Sequence, residues 1–162
     1  MRLLVGFFKV LILFWVLLWA TTVGAWEGVV TKVLDGDSML VKQKKRTVTV
    51  RLYGIDCPEY NQPYASAAKK TVQKMVLGQK VRIQPMGTDQ YRRTVGLVTF
   101  RGQILNVELV RRGLAWVYPR YCKKQPLCRQ LRDIEGVART NRIGLWQRSA
   151  PVPPWKWRQH RR

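Results

Sequence analysis

The amino-acid sequence predicts an α+β fold that is mainly β, a five-stranded barrel with about three α-helices. Two observations support this prediction. Short stretches rich in Val, Leu, Ile and Thr alternate with turn-forming residues, and three other stretches carry apolar residues at helical spacing. The length of 162 residues suits one domain rather than two.

Five short strands are predicted, and one of them fixes the direction of an arginine. The strands comprise residues 28–34, 39–50, 47–55, 81–84 and 95–100. The turn-like sequence Asp35-Gly36-Asp37 separates the first two. In residues 47–55, alternation places Val50 and Leu52 on one side of the strand, together with Gly54, and Arg51 on the other.

Three helices are predicted from apolar residues that recur every three or four positions. They comprise residues 65–75, 105–114 and 131–139. Gly78 and Gly113 stand where they could end the first two helices. Five strands with several turns, interrupted by helices, suggest a small Greek-key barrel such as the OB fold, which commonly binds oligonucleotides.

The N-terminal segment has the composition of an export signal. Arg2 and Lys9 precede an apolar run from Val10 to Ala20, and Val23-Gly24-Ala25 supplies the small residues that suit cleavage. An exported protein, periplasmic or secreted, is therefore predicted. The apolar stretch lengthens if it starts at Leu3, so an uncleaved membrane anchor is the alternative.

Three regions follow from this organisation. We expect residues 1–25 to be a signal peptide and residues 26–148 to form the OB-fold domain. Residues 149–162, rich in Pro, Trp and Arg, are expected to form an irregular tail, held by Trp155 or Trp157.

Basic residues far outnumber acidic ones. The chain has 30 Lys and Arg against 9 Asp and Glu, a formal charge of +21. Without Arg2 and Lys9, 28 basic residues remain against 9 acidic ones, so the expected mature chain carries +19. Such an excess favours polyanions: nucleic acid, anionic polysaccharide or a membrane surface. Nucleic acid is the leading candidate partner.

The three cysteines divide into a pair and a single thiol. An exported protein can form disulfide bonds, and Cys122 and Cys128 are close enough in sequence to close a small loop. We predict that bond. Cys57 is then expected to be a buried thiol rather than a catalytic one, since no histidine lies near it to activate it.

The residue types present exclude several kinds of catalytic site. The only histidine is His160, so a two-histidine ribonuclease mechanism and His-rich metal sites are excluded. Three cysteines without a CxxC pair give no zinc site. Carboxylates and arginines remain as the candidate catalytic groups.

Four of the nine acidic residues fall into two short motifs, Asp35-Gly36-Asp37 and Asp56-Cys57-Pro58-Glu59. A hard cation would neutralise this concentrated charge. Oxygen ligands from Asp37 and Asp56 suit calcium or magnesium, and such an ion could polarise a phosphoryl oxygen. Glu59 could act on water, as a general base or as the residue that positions the water.

Two arginines complete the candidate site. Arg51 precedes Asp56 closely, and Arg93 lies in a predicted loop before strand 95–100. Arginine donates two hydrogen bonds to two phosphate oxygens, which suits a phosphodiester whose transition state gains negative charge. Each feature alone is weak, because Asp-Gly-Asp is a common turn and most arginines are solvated. The prediction depends on the combination.

Several segments match, in order and spacing, the motifs of one known family. They are Val33-Leu34-Asp35-Gly36-Asp37-Ser38, Arg51-Leu52-Tyr53-Gly54-Ile55-Asp56-Cys57-Pro58-Glu59, Asp89-Gln90-Tyr91-Arg92-Arg93, Asn106-Val107-Glu108-Leu109-Val110, Gly113-Leu114-Ala115 and Gly144-Leu145-Trp146. Together they resemble the thermonuclease family, which is micrococcal or staphylococcal nuclease-like, from about Gly28 to Trp146.

The resemblance implies a five-stranded OB barrel with three helices. It also implies endonucleolytic hydrolysis of DNA and RNA to products that end in 3′-phosphates, with Ca2+ as cofactor. The implied calcium ligands are Asp37, Asp56 and the backbone carbonyl of Cys57. The implied catalytic residues are Arg51, Glu59 and Arg93. The sequence indicates no protein partner, and we expect a monomer.

The sequence departs from the family pattern at three positions. Cys57 replaces a threonine, which matters little if its backbone oxygen is the ligand. Gln90 replaces a lysine that helps to hold a phosphate, and Arg92 replaces a glycine, so the phosphate contacts there are expected to be rearranged. The candidate base-binding residues are Tyr91, Tyr118 and Tyr121, and Tyr91 could equally be packed against the protein.

Two other function classes stay open from the sequence. One is a nuclease-like OB module that binds nucleic acid or protein without cleaving it, and the other is a basic surface-adhesion protein. All three catalytic positions are present, which favours the enzyme over the binding module. An adhesion protein would bind anionic lipid and show no affinity for nucleic acid.

Overall fold

Five strands close into a barrel, which confirms the predicted α+β fold class. The structure is a computed structural model and describes residues 24–159. Within that range the strands are β1 (Trp26–Val33), β2 (Ser38–Gln43), β3 (Arg46–Leu52), β4 (Ile55–Asp56), β5 (Lys80–Thr88), β6 (Thr94–Phe100), β7 (Gln103–Ile104) and β8 (Trp116–Val117).

The ring of the barrel runs β3, β2, β1, β5, β6 and back to β3. Its pairings are antiparallel except for the closing one, in which β3 and β6 run parallel. Strand β7 pairs with β6 outside the ring, and the short strands β4 and β8 pair with each other. The parallel pairing of β3 with β6 closes the ring.

Five helical segments surround the barrel in residues 24–159. They are α1 (Ala65–Val76), α2 (Leu105–Arg111), α3 (Leu127–Thr140), a 3₁₀ turn (Gly144–Gln147) and α4 (Pro154–Gln159). The first three are the predicted helices. Helix α3 begins at Leu127 rather than Leu131, directly after Pro126, whose fixed φ suits the start of a helix.

The C-terminal region is not wholly irregular, so that expectation from the sequence is wrong for residues 154–159. They form α4, whose first residue Pro154 is buried. Proline is well suited to this position because its φ is already helical and its missing N–H would have no partner there. The helix is stabilised by packing, since Trp155 lies against the cluster of Trp116 and Trp146.

The core lies between the barrel and the inward faces of α1, α2 and α3. Its largest fully buried side chains are apolar and come from strands and helices alike: Val30, Met39, Val41, Val50, Leu52, Ile55, Val72, Val76, Ile83, Leu105, Leu109 and Leu131. Each contributes about 1.5–3 kcal/mol through burial. The barrel is therefore a solid support for the loops at its rim.

A turn after β3 redirects the chain at Gly54. The sequence places this glycine on a strand, but β3 ends at Leu52. Gly54 has a φ of 76°, in the left-handed region that glycine tolerates best. A Cβ at this position would also lie 2.7 Å from Sγ of Cys122, too close for any other residue. The turn lets β4 begin at once, which brings Asp56 back toward Arg51.

A buried amide links this turn to helix α2. Asn106 donates from Nδ2 to the carbonyls of Tyr53 (3.0 Å) and Gly96 (3.3 Å), and its Oδ1 accepts from the N–H of Val98 (3.2 Å). Buried polar groups need such partners, so these three bonds fix α2 against β6 and the turn after β3.

A disulfide bond joins Cys122 and Cys128, the pair expected from the sequence. Both residues are buried. The hydroxyl of Tyr53 accepts hydrogen bonds from the N–H groups of Lys123 and Lys124, at 3.1 and 3.0 Å. The loop between Tyr118 and α3 is thus held by the Tyr53 hydroxyl and by the disulfide bond.

The predicted signal peptide lies almost wholly outside the described residues, because the structure describes the chain from residue 24 onward. In the described part of the chain, none of the helices has both the length and the apolar character needed to cross a membrane.

Candidate active site

The site lies at one rim of the barrel, where three of its strands meet. In the β2–β3 ladder Ser38 pairs with Arg51, and the N–H of Leu52 donates to the carbonyl of Asp37 at 2.8 Å. In the parallel ladder Arg51 pairs with Val95 of β6. The loop before β6, which carries Arg93, is therefore delivered to the same rim.

Asp37 is a buried carboxylate held by several donors. Its Oδ2 accepts from the N–H of Cys57 at 2.7 Å, and its Oδ1 accepts from the hydroxyl of Ser38 at 3.2 Å. The turn that presents it is closed by Asp35, whose Oδ1 accepts from the N–H of Asp37 at 2.9 Å. A Cβ on Gly36 would lie 2.7 Å from Cβ of Cys57, so only glycine allows this close packing.

Arg51 joins the two acidic motifs. Its guanidinium contacts Oδ1 of Asp37 through Nη1 and Oδ1 of Asp56 through Nη2, the latter at 2.6 Å. Both carboxylates are almost completely buried, with exposed fractions of 3% and 1%. Buried carboxylates require an opposite charge, so one guanidinium here compensates two of them. The alternation that points Arg51 away from Val50 and Leu52 is present in β3.

Glu59 follows β4 and lies at the edge of the site. Its backbone is fixed by Gln62, which accepts from the N–H of Glu59 at 3.0 Å and donates its own N–H to the Glu59 carbonyl at 2.7 Å. Its carboxylate is partly exposed and forms an ion pair with Arg158. Glu59 is therefore rigidly held at the backbone, while its side chain can still meet water.

Arg93 is held in the loop between β5 and β6 by an aspartate. Nε of Arg93 contacts Oδ2 of Asp89 at 2.7 Å, and its N–H donates to Oδ1 of Asp89 at 3.0 Å. Burial disfavours the charge of Asp89, but the bonds from Arg93 outweigh it and lower the pKa of this carboxyl. Nη1 of Arg93 is 3.5 Å from the hydroxyl of Ser38, which links it to Asp37.

Arg158 contacts the acidic groups of the site although the sequence did not indicate it. Nη2 of Arg158 lies 2.9 Å from Oδ2 of Asp56, and Nη1 contacts Glu59. Burial disfavours its charge, yet the hydrogen bonds to Asp56 and Glu59 raise its pKa above the usual arginine value. An isolated arginine in a basic tail carries no local signal, so only the folded chain reveals its position.

The three candidate base-binding tyrosines occupy two places. Tyr91 is exposed, and the guanidinium carbon of Arg93 lies 5.3 Å from the centre of its ring. Tyr118 and the exposed Tyr121 form an edge-to-face pair with ring centres 4.8 Å apart. Trp155 of α4 stacks on Tyr118 at 4.7 Å with an interplanar angle of 4°. Tyr118 is therefore covered on one face.

Cys57 is a buried thiol without a disulfide partner. Burial raises the pKa of this thiol far above its usual value, which keeps it protonated and unreactive. Cys57 contacts the site through its backbone, where its N–H donates to Oδ2 of Asp37.

The two carboxylates at the rim suit a hard cation, but they would supply only part of its coordination. Asp37 and Asp56 supply carboxylate oxygens around one guanidinium, so the position already attracts positive charge. Within residues 24–159, no three His, Cys, Asp or Glu side chains converge as a metal site. A cation here would need backbone, water or substrate oxygens to complete its coordination.

Comparison with known proteins gives a consistent family. The model of the family described as staphylococcal nuclease homologue matches residues 49–148. An uncharacterized endonuclease of Haemophilus influenzae is 35% identical over 80% of this chain and 71% of its own length. A micrococcal nuclease of Shigella flexneri is 35% identical, with 85% of each chain covered. A staphylococcal-like nuclease of Arabidopsis thaliana is 37% identical over 82% of this chain and 41% of its own.

The family match includes the end of β3, the acidic motif of β4 and the loop with Arg93, while the first acidic turn precedes residue 49. The two bacterial relatives extend the similarity over most of the chain. A closed five-stranded barrel with arginines and carboxylates at one rim agrees with these matches. The chain belongs to the staphylococcal nuclease homologue family and is an enzyme of the nuclease class, a hydrolase.

Proposed function

We propose that this chain is a calcium-dependent endonuclease that hydrolyses phosphodiester bonds of DNA and RNA and leaves 3′-phosphate ends. The observation that carries the proposal is the meeting of Arg51, Asp37 and Asp56 at the rim that also receives Glu59 and Arg93. The product ends follow from the family resemblance. The names of two bacterial relatives, an endonuclease and a micrococcal nuclease, support the substrate class.

Asp37 and Asp56 would hold the calcium ion, with the backbone carbonyl of Cys57 as a further ligand. Calcium prefers oxygen ligands and accepts six to eight of them, so substrate and water oxygens would fill the remaining places. When bound, the ion supplies a positive charge that polarises a phosphoryl oxygen. The two buried carboxylates fit this role because their negative charge already holds the Arg51 guanidinium.

Arg51 and Arg93 would bind the phosphate and stabilise its additional negative charge in the transition state. A guanidinium presents paired donors that match two phosphate oxygens. Asp89 fixes the orientation of Arg93 through Nε rather than through the terminal nitrogens, and Nη1 makes a long contact of 3.5 Å with the Ser38 hydroxyl. Donors that are already oriented need no reorganisation when negative charge develops on the phosphate. They therefore lower the free energy of the transition state.

Glu59 would act on the attacking water, either as the base that takes its proton or as the residue that positions it. A carboxylate can do this only within hydrogen-bond reach of the water. Its partly exposed position at the edge of the rim supports such access. Gln62 holds the backbone of Glu59, and the carboxylates of Glu59 and Asp56 share one partner, Arg158.

The decisive experiment is hydrolysis of single-stranded DNA and RNA by the purified chain without residues 1–25. Calcium, magnesium and a chelator form the three arms, and Glu59→Ala serves as the control for contaminating nucleases. Calcium-dependent cleavage that is lost in the variant supports the proposal, and end-labelling of the products tests for 3′-phosphates. Tight binding without cleavage in all arms would replace it with the non-cleaving OB module.

Export of the protein is part of the proposal. The support is the sequence of residues 1–25, with Arg2 and Lys9 before an apolar run and small residues up to Ala25. Fractionation of expressing cells, with N-terminal sequencing of the product, tests it. A chain that begins at Trp26 in the periplasm or medium supports cleavage. A full-length chain in the membrane fraction would support the anchor instead.

A further inference from the structure

Helix α4 lies across the rim of the proposed active site and is held there by contacts that do not involve its charges. Pro154 is buried, and Trp155 packs edge-to-face on Trp116, with ring centres 6.0 Å apart, as well as flat on Tyr118. The segment before the helix is tied down by Gln62, whose Nε2 donates to the carbonyl of Val152 at 2.5 Å.

Arg158 follows Trp155 by three residues, so the two side chains lie on the same face of α4. The β4–β8 ladder brings the partners of these two side chains together. Asp56 of β4 pairs with Trp116 of β8, and Tyr118 is the first residue after β8. Trp155 covers Tyr118 while Arg158 contacts Asp56 and Glu59. The helix therefore spans the distance from the aromatic pair to the acidic centre.

Two guanidinium groups converge on one carboxylate. Arg51 contacts Oδ1 of Asp56, while Arg158 contacts Oδ2 at 2.9 Å and lies 3.5 Å from Oδ1. Arg51 reaches this point from inside the barrel rim, and Arg158 reaches it from the solvent side, where its side chain is 41% exposed. Asp56 is thus shared between a mostly buried arginine and a more exposed one.

The anchoring of α4 keeps Arg158 at the rim even when Asp56 and Glu59 bind a cation or water instead of its guanidinium. If a cation takes over the charge of Asp56, the carboxylate holds a guanidinium less strongly. The apolar contacts of Pro154 and Trp155 are unaffected, so the helix stays in place. The long arginine side chain then remains at the rim, with its donors directed to whatever anion lies there.

We propose that Arg158 is a third arginine of the active site and binds the phosphate at which the polynucleotide is cleaved, together with Arg51 and Arg93. This inference rests on the proposed function. A phosphodiester that gains charge in the transition state accepts hydrogen bonds from several guanidinium groups. Arg158 is well placed to donate them because it shares Asp56 with Arg51 and its side chain is partly exposed.

The test compares Arg158→Ala with Lys156→Ala, which removes the same charge from an exposed position of the same helix. Single-turnover cleavage of a single-stranded DNA oligonucleotide is measured at saturating calcium. We expect Arg158→Ala to cleave about 10²-fold more slowly than the unmodified chain. Arg158→Lys should recover part of the rate, and Lys156→Ala should stay within about twofold because surface charges act weakly.

A second readout does not depend on turnover. In the Glu59→Ala background, which is expected not to cleave, oligonucleotide binding in calcium is followed by fluorescence anisotropy. Adding Arg158→Ala should weaken binding by about tenfold, and adding Lys156→Ala by much less. Melting temperatures of all variants identify any that lose the fold, and Arg158→Lys then serves as the variant that keeps the charge.

Each outcome separates the inference from the proposed function. Cleavage and binding that are equal in Arg158→Ala and Lys156→Ala would overturn the inference and leave the nuclease intact. Faster cleavage by Arg158→Ala at saturating calcium would also overturn it, because Arg158 would then be a plug over Asp56 and Glu59. If the unmodified chain fails to cleave, the proposed function fails, and the anisotropy arm alone decides whether Arg158 binds the phosphate backbone.

Discussion

Arg51 is the residue that joins two buried carboxylates. It contacts both Asp37 and Asp56, and removing one partner of a buried pair typically costs about 3–5 kcal/mol. We expect Arg51→Ala to lower the melting temperature in chelator, and calcium to restore much more stability to this variant than to the unmodified chain. Thermal melts with and without calcium measure the difference.

The matched control is Arg46→Ala, an exposed arginine at the other end of the same strand. It should respond to calcium as the unmodified chain does. A loss of stability in Arg51→Ala that calcium leaves unchanged would mean that Asp37 and Asp56 do not bind the ion.

Glu59 and Arg93 are expected to matter for turnover more than for stability. Both side chains are partly exposed, so truncating them leaves the core untouched. Removing one group that stabilises a transition state typically costs about 10²–10³-fold in rate. Single-turnover cleavage by Glu59→Ala and Arg93→Ala should fall by that order. Arg82→Ala, on an exposed position of β5, should cleave normally, and similar rates in all three variants would disprove the roles.

Asp89 is expected to give stability a defined pH dependence. Its pKa is lowered in the folded chain, so its contribution is present above its unfolded pKa of about 3.9 and is lost as the pH falls through the lower folded value. Asp89→Asn should therefore melt below the unmodified chain at about pH 6, and the gap should close toward about pH 3. Asp133→Asn, an exposed carboxyl on α3, should show no such gap.

At the scale of elements, what could be predicted follows from local patterns. Strand β3 could be predicted because apolar residues alternate along it, and the same alternation gave the direction of Arg51. Helix α4 could not, because its six residues are fewer than the roughly 12–15 that an isolated helix needs. Its stability comes from Trp155 on Tyr118, a contact between distant parts of the sequence that no local period reports.

The candidate site divides in the same way. The motifs around Asp37, Asp56 and Arg93 are short and local, so they could be recognised in the sequence by composition and resemblance. The partner of Glu59 could not be, since Arg158 comes from the other end of the chain and reaches it only because α4 is docked. The turn at Gly54 could not be predicted either. The positive φ of Gly54 and its close approach to Cys122 depend on the folded structure, and neither changes the alternation of residues 47–55.

The disulfide supports the loop that carries the aromatic pair. It closes a short segment, and a cross-link of this size stabilises a chain by about 2 kcal/mol, mainly by restricting the unfolded state. A variant with Cys122→Ser and Cys128→Ser should melt at a lower temperature than the oxidised chain. Reductant should lower the melting temperature of the unmodified chain and leave the variant unchanged. An equal response of both proteins would point to another site of reduction.

At the scale of the whole molecule, the charge of the chain and its site make different contributions to binding. The acidic groups are few, and several of them are committed to Arg51, Arg93 and Arg158 at one rim. Most other basic residues within 24–159 are exposed, and such residues attract any polyanion without selecting one. Affinity for nucleic acid should therefore have a strong electrostatic part that is spread beyond the proposed catalytic residues.

This argument leads to a prediction about salt. Binding of single-stranded DNA by the Glu59→Ala variant in calcium should weaken steeply with salt, with a slope of log K against log salt of roughly −0.7 for each phosphate contacted. Arg158→Ala should make the slope shallower by roughly one contact, whereas vesicles of anionic lipid should compete poorly at equal charge. Anisotropy titrations from low to physiological salt provide the slopes. A flat slope, or stronger binding to the vesicles than to DNA, would instead favour a basic adhesion protein, because phosphate-driven recognition releases counterions in proportion to the contacts it makes.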